Sequence, residues 1–344
     1  MIHIKTPQEI ELMRASGLVT AGAIAAVKAA VRPGVSTGEL NAIAEDHIRS
    51  CGAVPNFLGY HGFTGTICAS INHEIVHGIP SPDRRLVEGD NISLDCGAIL
   101  KGWHSDSAVT VTVGEPTAED AALLEVTERS MWAGLARALA GGRLTDISAA
   151  VGETITAETH PYGIVDNYGG HGIGTEMHQD PHVLNYGRPG RGPKLVPGLA
   201  LAIEPMVTVG DPATAELDDG WTVVTKDGSR AAHFEHTVAI TAEGPWVLTA
   251  EDGGVAGLAP FGVAARSGPG LRAPSHGGPV WCGPNRRGRV ADGVRAVPSP
   301  CCGRMTRDAL ARASAPPVLQ SPSVSVGVPP WAQTDTGTTE SGSA

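Results

Sequence analysis

No apolar run in this chain of 344 residues approaches the roughly 18–20 needed to span a membrane. A transmembrane protein is therefore not expected. The start, Met1-Ile2-His3-Ile4-Lys5-Thr6-Pro7-Gln8-Glu9, has neither the charged cap nor the apolar stretch of a signal peptide. Positive charge is scarce: 25 Lys and Arg face 36 Asp and Glu. The resulting net charge of −11 argues against general nucleic-acid affinity. The six cysteines (Cys51, Cys68, Cys96, Cys282, Cys301, Cys302) include no CxxC pair and no disulfide framework, which favours a reducing compartment. These absences point to a cytoplasmic protein without membrane or specific nucleic-acid partners. They name no function.

Composition changes near residue 250. From Gly253 onward there is no Lys, Ile or Tyr, and Gly, Pro, Ser, Ala, Val and Arg dominate. Stretches such as 272–290 and 314–330 lack helical or strand periodicity, and their Pro/Gly load opposes both. Residues 1–252, within a chain that is 41% hydrophobic, are expected to fold as one domain. Residues 253–344 are expected to form a disordered Pro/Gly/Arg-rich tail. An Arg-rich arm touching RNA or a ribosome is the functional alternative. His276, Cys282, Cys301 and Cys302 lack zinc-ligand spacing.

A weak internal repeat runs through the first 250 residues at an offset of 108–110. Leu86-Val87-Glu88-Gly89, followed by Asp95, matches Leu195-Val196-Pro197-Gly198, followed by Glu204, and each acid comes nine residues after its Leu. Gly59-Tyr60-His61-Gly62 matches Gly169-Gly170-His171-Gly172, and residues 33–40 parallel 141–147. Two copies are too few for a solenoid, which needs at least about three. A domain with two pseudo-symmetric halves fits better. Glu9 to Val31 and Glu119 to Leu139 carry helical periodicity, and Thr37 and Thr145 are candidate caps. Asn91 to Asp95 and Ala108 to Val113 alternate as strands, with a turn near Lys101-Gly102. Leu199 to Val209 and Trp221 to Thr225 repeat that character. Each half is thus helices followed by strands, an α+β fold with helices packed on one face of an antiparallel sheet.

Five residues carry the chemistry: Asp95, Asp106, His171, Glu204 and Glu235. Four carboxylates and an imidazole suit a pair of divalent cations, because oxygen-rich sets favour such metals and carboxylates can be shared between two. Two cations close together lower the pKa of a water and prepare it to attack a carbonyl. The plainer reading of Asp95 and Asp106 is a solvent face or a turn. Glu204 and Glu235 sit in apolar strands, where a lone carboxylate is costly to bury. His171 lies between two glycines, which permit close backbone approach. His77 and His178 are candidate donors to a substrate carbonyl, weighed against ordinary structural histidines. His3, His47, His104, His160 and His276 are taken as structural.

The runs around these residues strongly resemble type I methionine aminopeptidases over residues 1–250. They are 72–80 (NHEIVHGIP), 93–97 (SLDCG), 104–106 (HSD), 169–174 (GGHGIG), 203–206 (IEPM) and 234–237 (FEHT). The resemblance implies the pita-bread fold, with two pseudo-symmetric halves and helices packed on a curved, mainly antiparallel sheet. It implies two divalent metal ions (Co, Mn, Fe or Zn), one on Asp95, one on His171 and Glu204, with Asp106 and Glu235 shared. The implied reaction is release of the initiator methionine by a metal-activated hydroxide when the second residue is small. Glu204 would shuttle the proton, His178 would polarise the carbonyl and His77 would contact the substrate amide. Phe57, Tyr60, Phe63, Cys68, Met177 and Trp221 would line the methionine pocket. Phe63 and Met177 stand where the family commonly has Tyr and Phe.

No long insertion separates His171, Glu204 and Glu235, which weighs against the type II enzymes. The implied partner is the N-terminus of a nascent polypeptide, met by a monomer. A ribosome contact has only Arg188, Arg191 and Lys194 for it, against an acidic loop at Asp211, Glu216, Asp218 and Asp219. The rivals are an Xaa-Pro-specific peptidase of the same fold and a metal-free binding protein. The first comes with a separate N-terminal domain, and the second is expected to lose ligands.

Overall fold

Two helix pairs, each followed by strands, make the sequence repeat visible in a computed structural model that describes residues 2–266. The first half runs α1 (Pro7–Ala30), α2 (Thr37–Ser50), β1 (Val54–Pro55), β2 (Ile67–Ile71), β3 (Glu74–Val76), β4 (Asn91–Leu100) and β5 (Trp103–Thr112). The second opens with α3 (Ala118–Leu135) and α4 (Leu144–Thr156). Short strands follow: β6 (Gly163–Ile164), β7 (Gly170–Gly172), β8 (Gln179–Val183), β9 (Ala200–Ile203) and β10 (Met206–Thr208). The half closes with β11 (Thr214–Glu216), β12 (Val223–Thr225), β13 (Ala231–His233), β14 (Glu235–Thr241), β15 (Gly244–Val247) and α5 (Val255–Leu258).

Capping sets the helix starts. Thr6 and Glu9 form a capping box ahead of Pro7, and Ser36 and Glu39 form another. The cap of α2 is thus Ser36, not the expected Thr37. Ser36 keeps the extended backbone a cap needs, while Thr37 has turned helical and its hydroxyl donates to the Ser81 carbonyl. At α4 the Asp146 carboxylate accepts the Arg143 N–H, and Thr145 is engaged instead with the Arg191 backbone.

Helix α1 corrects the expectation that nothing resembles a membrane span. Over 18 residues its mean hydropathy is 1.4, long and apolar enough to cross by length and composition alone. Half of that stretch is buried, and Ile10, Met13, Val19, Ala23 and Val27 are core residues. Small residues explain the intimacy: a Cβ on Gly17 would collide with the Leu248 backbone carbonyl. Arg14, also buried, donates to the carbonyls of Val247, Leu248, Ala250 and Glu251 and ties that segment to the helix.

The main sheet has nine strands, ordered β1-β4-β5-β14-β9-β7-β8, with β2 on β4 and β15 on β14. Every pairing in it is antiparallel. Lys101 and Gly102, at φ 52° and 80°, close the β4–β5 hairpin with the left-handed pair that a two-residue turn requires. The order β4-β5-β14-β9 places two strands of each half about a pseudo-two-fold axis between β5 and β14. Each half has its own apolar core, one around Leu40, Ile48, Ile92 and Leu94 and the other around Leu135, Ile147, Leu201 and Val238.

Two boundaries differ from the sequence expectation. The strand expected over Leu199–Val209 breaks at Glu204-Pro205 into β9 and β10, since Pro205 has no N–H to continue a ladder. Strand β10 then joins a separate three-stranded sheet with β13 and β6. At the other end the packed fold continues past the expected limit at residue 252. Leu258 is fully buried, and the Arg266 guanidinium stacks 4.6 Å from the Trp246 ring centroid. A composition-based boundary overlooks this short return of apolar residues. His276, Cys282, Cys301 and Cys302 lie outside the described residues.

Candidate metal centre

Register alone gathers the five candidate ligands. Residues directly opposite across an antiparallel pair point to the same face, and every second residue along a strand shares that face. Asp95 faces Ala108 across β4–β5, and Ala108 faces Glu235 across β5–β14. Asp106, two residues from Ala108, lies opposite Gly97 on the same face. Thr237 pairs with Ala202, so Glu204, two residues on, returns to the face of Glu235. Gly172 pairs with Leu201, and one step along His171 falls beside Ala202. Five strands thus converge five side chains on one patch.

Within that patch, one ligand atom from each of Asp106, His171 and Glu235 lies within 4.8 Å of the others. Asp95 neighbours Asp106 through a side-chain hydrogen bond. The Glu204 Oε1 lies 3.5 Å from the His171 Nε2. The Asp95 Oδ1 and Glu235 Oε1 are buried with no hydrogen-bond partner among the described residues. Such oxygens cost about 1–3 kcal/mol or more each when left unmatched.

Electrostatics sharpen the same point. Burial pushes the Asp95 carboxyl up to about 7. Burial first, and neighbouring carboxylates second, push Asp106, Glu204 and Glu235 well above the usual carboxylate range. His171 moves down to about 4 because of burial, which keeps it neutral. Its Nδ1 lies 2.9 Å from the Gly172 carbonyl, which can only accept, so Nε2 carries the lone pair toward the cluster. Four carboxyls crowded into a dry patch, with a neutral imidazole facing them, fit divalent cations, which would replace the shared protons and satisfy the orphaned oxygens.

The substrate-side candidates stand beside this patch. Cys68 pairs with Asp95 across β2–β4 and so opens onto the same face. Phe57, Phe63, Cys68 and Met177 form one buried apolar cluster, with Tyr60, Ile79 and Trp221 against it. The ring of Trp221 meets Phe63 at 5.0 Å and His77 at 6.4 Å. His77 holds a left-handed backbone at φ 61°, a costly conformation for a non-glycine residue. The His178 ring sits 4.4 Å from that of His171, and its Nδ1 is 2.7 Å from the Tyr60 hydroxyl. Burial, then the adjacent His171, holds His178 far below the usual imidazole value.

Three residues were missed. Ile79 shares the 72–80 run with His77 and joins the pocket cluster. His104, taken as structural, lies on the ligand face two residues before Asp106, and its buried Nδ1 has no hydrogen-bond partner among the described residues. His233 lies two residues before Glu235 with its Nε2 3.8 Å from the Glu204 Oε2. The period of two that places Asp106 and Glu235 also marks these histidines.

The geometry has counterparts among known proteins. Residues 11–242 match the family described as metallopeptidase family M24. A methionine aminopeptidase of Clostridium acetobutylicum is 53% identical over 249 residues, 72% of this chain and 99% of that relative. Methionine aminopeptidase 1 of Mycobacterium tuberculosis is 54% identical over 246 residues, 70% of this chain and 92% of its own. Among solved structures, the Thermotoga maritima methionine aminopeptidase superposes with a TM-score of 0.71 at 41% identity, covering 73% of this chain and all of that one. A Pyrococcus furiosus prolidase, at 23% identity and a TM-score of 0.57, shares the fold. The helices on a curled antiparallel sheet are the pita-bread architecture.

Proposed function

Because the chain belongs to metallopeptidase family M24 and stands among its methionine aminopeptidases, we propose that it releases the initiator methionine when the second residue is small. The observation that carries this reading is the convergence of five ligand side chains on one sheet face, with a sulfur-containing apolar cluster adjoining it. Asp106 and Glu235, on the two central strands, would hold divalent cations within this cluster. Asp95 on β4, and His171 and Glu204 beside β7 and β9, would complete the ligand set. When bound, such a pair acidifies water and polarises a carbonyl. An oxygen- and nitrogen-rich donor set accepts Mn, Fe, Co or Zn.

The remaining work falls to the chain's own groups. Glu204 takes the proton of the attacking water and delivers it to the departing amine. A neutral His178 has one ring proton. With the Tyr60 hydroxyl donating to Nδ1, that proton sits on Nε2, where it can stabilise the developing oxyanion. His77, fixed by its strained backbone beside Trp221, contacts the substrate amide. Phe57, Phe63, Cys68 and Met177 receive the thioether and exclude water from it. One chain supplies every group, which fits a monomer acting on N-termini as they emerge in the cytoplasm.

The test is peptide cleavage by the full chain supplied with Mn, Co or Fe. Met-Ala-Ser should lose its methionine and Met-Lys-Ser should not. Equal cleavage of both, or a preference for Xaa-Pro peptides, would overturn the assignment.

A further inference from the structure

His233 ends β13 with only 2% of its surface exposed, and its main chain is held at both polar groups. Its N–H donates to the Thr110 hydroxyl at 2.8 Å, and that hydroxyl donates back to the His233 carbonyl at 2.9 Å. The ring is therefore placed by the fold. Yet neither Nδ1 nor Nε2 has a hydrogen-bond partner among the described residues. Met206 lies directly opposite across β10–β13. Met206 and Ala231, next to His233 on these strands, belong to an apolar cluster with Ile75, Val76, Val165 and Val223, whose side chains provide no acceptor. Burying an unmatched imidazole there is unfavourable, and an aliphatic side chain would avoid it.

The acceptor within reach is Glu204. Its Oε2 lies 3.8 Å from the His233 Nε2, while its Oε1 lies 3.5 Å from the His171 Nε2. The carboxylate is thus bracketed by two imidazoles, one on each oxygen. Pro205 immediately follows and ends the ladder of β9. The Asn185 side-chain amide donates to the Glu204 carbonyl and the Phe234 N–H to that of Pro205, so the main chain is held and the carboxylate reaches out from a fixed base.

We infer that His233 is a positioning residue for Glu204: its Nε2–H donates to Oε2 and keeps Oε1 turned toward His171 and the ligand cluster. A small ring movement turns the 3.8 Å approach into a charge-assisted hydrogen bond once Glu204 is ionised. This inference deepens the proposed function and rests on its assignment of Glu204 as ligand and proton carrier. A partner of this kind governs how well a carboxylate is presented to a cation, and its loss typically costs about 10–100-fold in metal affinity or activity.

The experiment compares His233→Leu and His233→Gln in the full chain. Metal-stripped protein is titrated with Co(II) by calorimetry, and kcat and KM are measured on Met-Ala-Ser. His233→Leu should bind Co(II) about 10–100-fold more weakly and lose kcat in proportion, with KM within about twofold. Its metal-free melting temperature should hold or rise, because an unmatched polar group has gone. His233→Gln, which keeps an N–H donor, should stay within about threefold of wild type in Co(II) affinity. Wild-type affinity in His233→Leu, or equal damage in both variants, overturns the inference. If His233→Leu loses its cooperative melt, His233→Met is judged by the same criteria. A wild-type chain that binds Co(II) but leaves Met-Ala-Ser intact overturns the peptidase assignment, and the affinity comparison then still decides the role of His233.

Discussion

Removing metal with EDTA leaves four buried carboxyls facing one another, and the pH dependence of stability then reports on them. Each binds its proton more tightly in the folded chain than in the unfolded one. Its contribution is therefore complete below the unfolded value and is lost as pH rises through the folded value. For Asp95 that window runs from 3.8 to about 7. The loss across it is roughly 4 kcal/mol at about 1.4 kcal/mol per pH unit. Asp106, Glu204 and Glu235 move the same way, from burial first and mutual repulsion second. The histidines act oppositely. Burial lowers His77, His104, His171 and His236 to about 4 and His233 to about 3. They add stability with rising pH until about one unit above 6.5, where the unfolded imidazoles have lost their protons. Lys5, lowered to about 8 by burial, adds stability above that pH.

Above about pH 7.5 the carboxyls therefore dominate. The stripped protein should lose stability with rising pH there, by about 1.4 kcal/mol per pH unit for each carboxyl that keeps a proton its unfolded counterpart has lost. Urea unfolding followed by tryptophan fluorescence at pH 7.5, 8.0 and 8.5 measures it. Added Mn(II) should abolish the fall, since cations replace the protons, so stabilisation by metal should grow with pH. Asp106→Asn should make that fall shallower, because one raised carboxyl is gone, and abolish turnover while the chain stays folded. A metal-free stability that is flat or rises across this range would refute the shared buried cluster.

Three further outcomes follow from particular contacts. Tyr60→Phe keeps the aromatic wall but deletes the hydrogen bond to His178, and kcat should fall about tenfold with KM within twofold, a barrier change of about 1.4 kcal/mol. An unchanged kcat would show that the tyrosine hydroxyl does not orient His178. Ending the chain after Asp252 removes Leu258 and should cost about 2–5 kcal/mol in unfolding, whereas ending it after Arg266 should leave stability and turnover unchanged. Equal effects of the two truncations would contradict the packing of α5. Gly17→Ala drives a methyl into the Leu248 carbonyl and should destabilise by about 1–3 kcal/mol, read as a lower melting temperature.

Much of this was legible in the sequence because carboxylates are conspicuous in apolar strands. Asp95, Asp106 and Glu235 stand in alternating runs, and the pleat carries all three to one face without further information. The break at Glu204-Pro205 needed only the missing N–H of proline to be noticed. His104 was set aside as structural and His233 was not weighed, because neither was read together with the acid two residues beyond it. Helix α5 was overlooked for another reason: a Gly/Pro-rich composition describes the average of a stretch and not the burial of one Leu258 within it. The methionine pocket came from family resemblance, since no local pattern joins Phe57 and Phe63 to Met177 and Trp221.

The repeat could reveal only half of the symmetry, and the reason bears on specificity. Asp95 and Glu204 are 109 residues apart, but Asp106 and Glu235 are 129 apart, so no single offset pairs both. In the first half a two-residue turn joins β4 to β5, and Asp95 and Asp106 are close in sequence. In the second half the chain leaves the main sheet after Glu204, builds β10 to β13 elsewhere, and returns only at Glu235. That excursion breaks the two-fold, and it carries Trp221, which faces Phe63 and His77, and His233, which faces Glu204. The symmetric strands thus gather the ligands, while the asymmetric excursion brings the side chains that adapt the site to its substrate. Substitutions on β4, β5, β9 and β14 should therefore act first on metal affinity, and substitutions at Trp221 first on the choice of N-terminal residue.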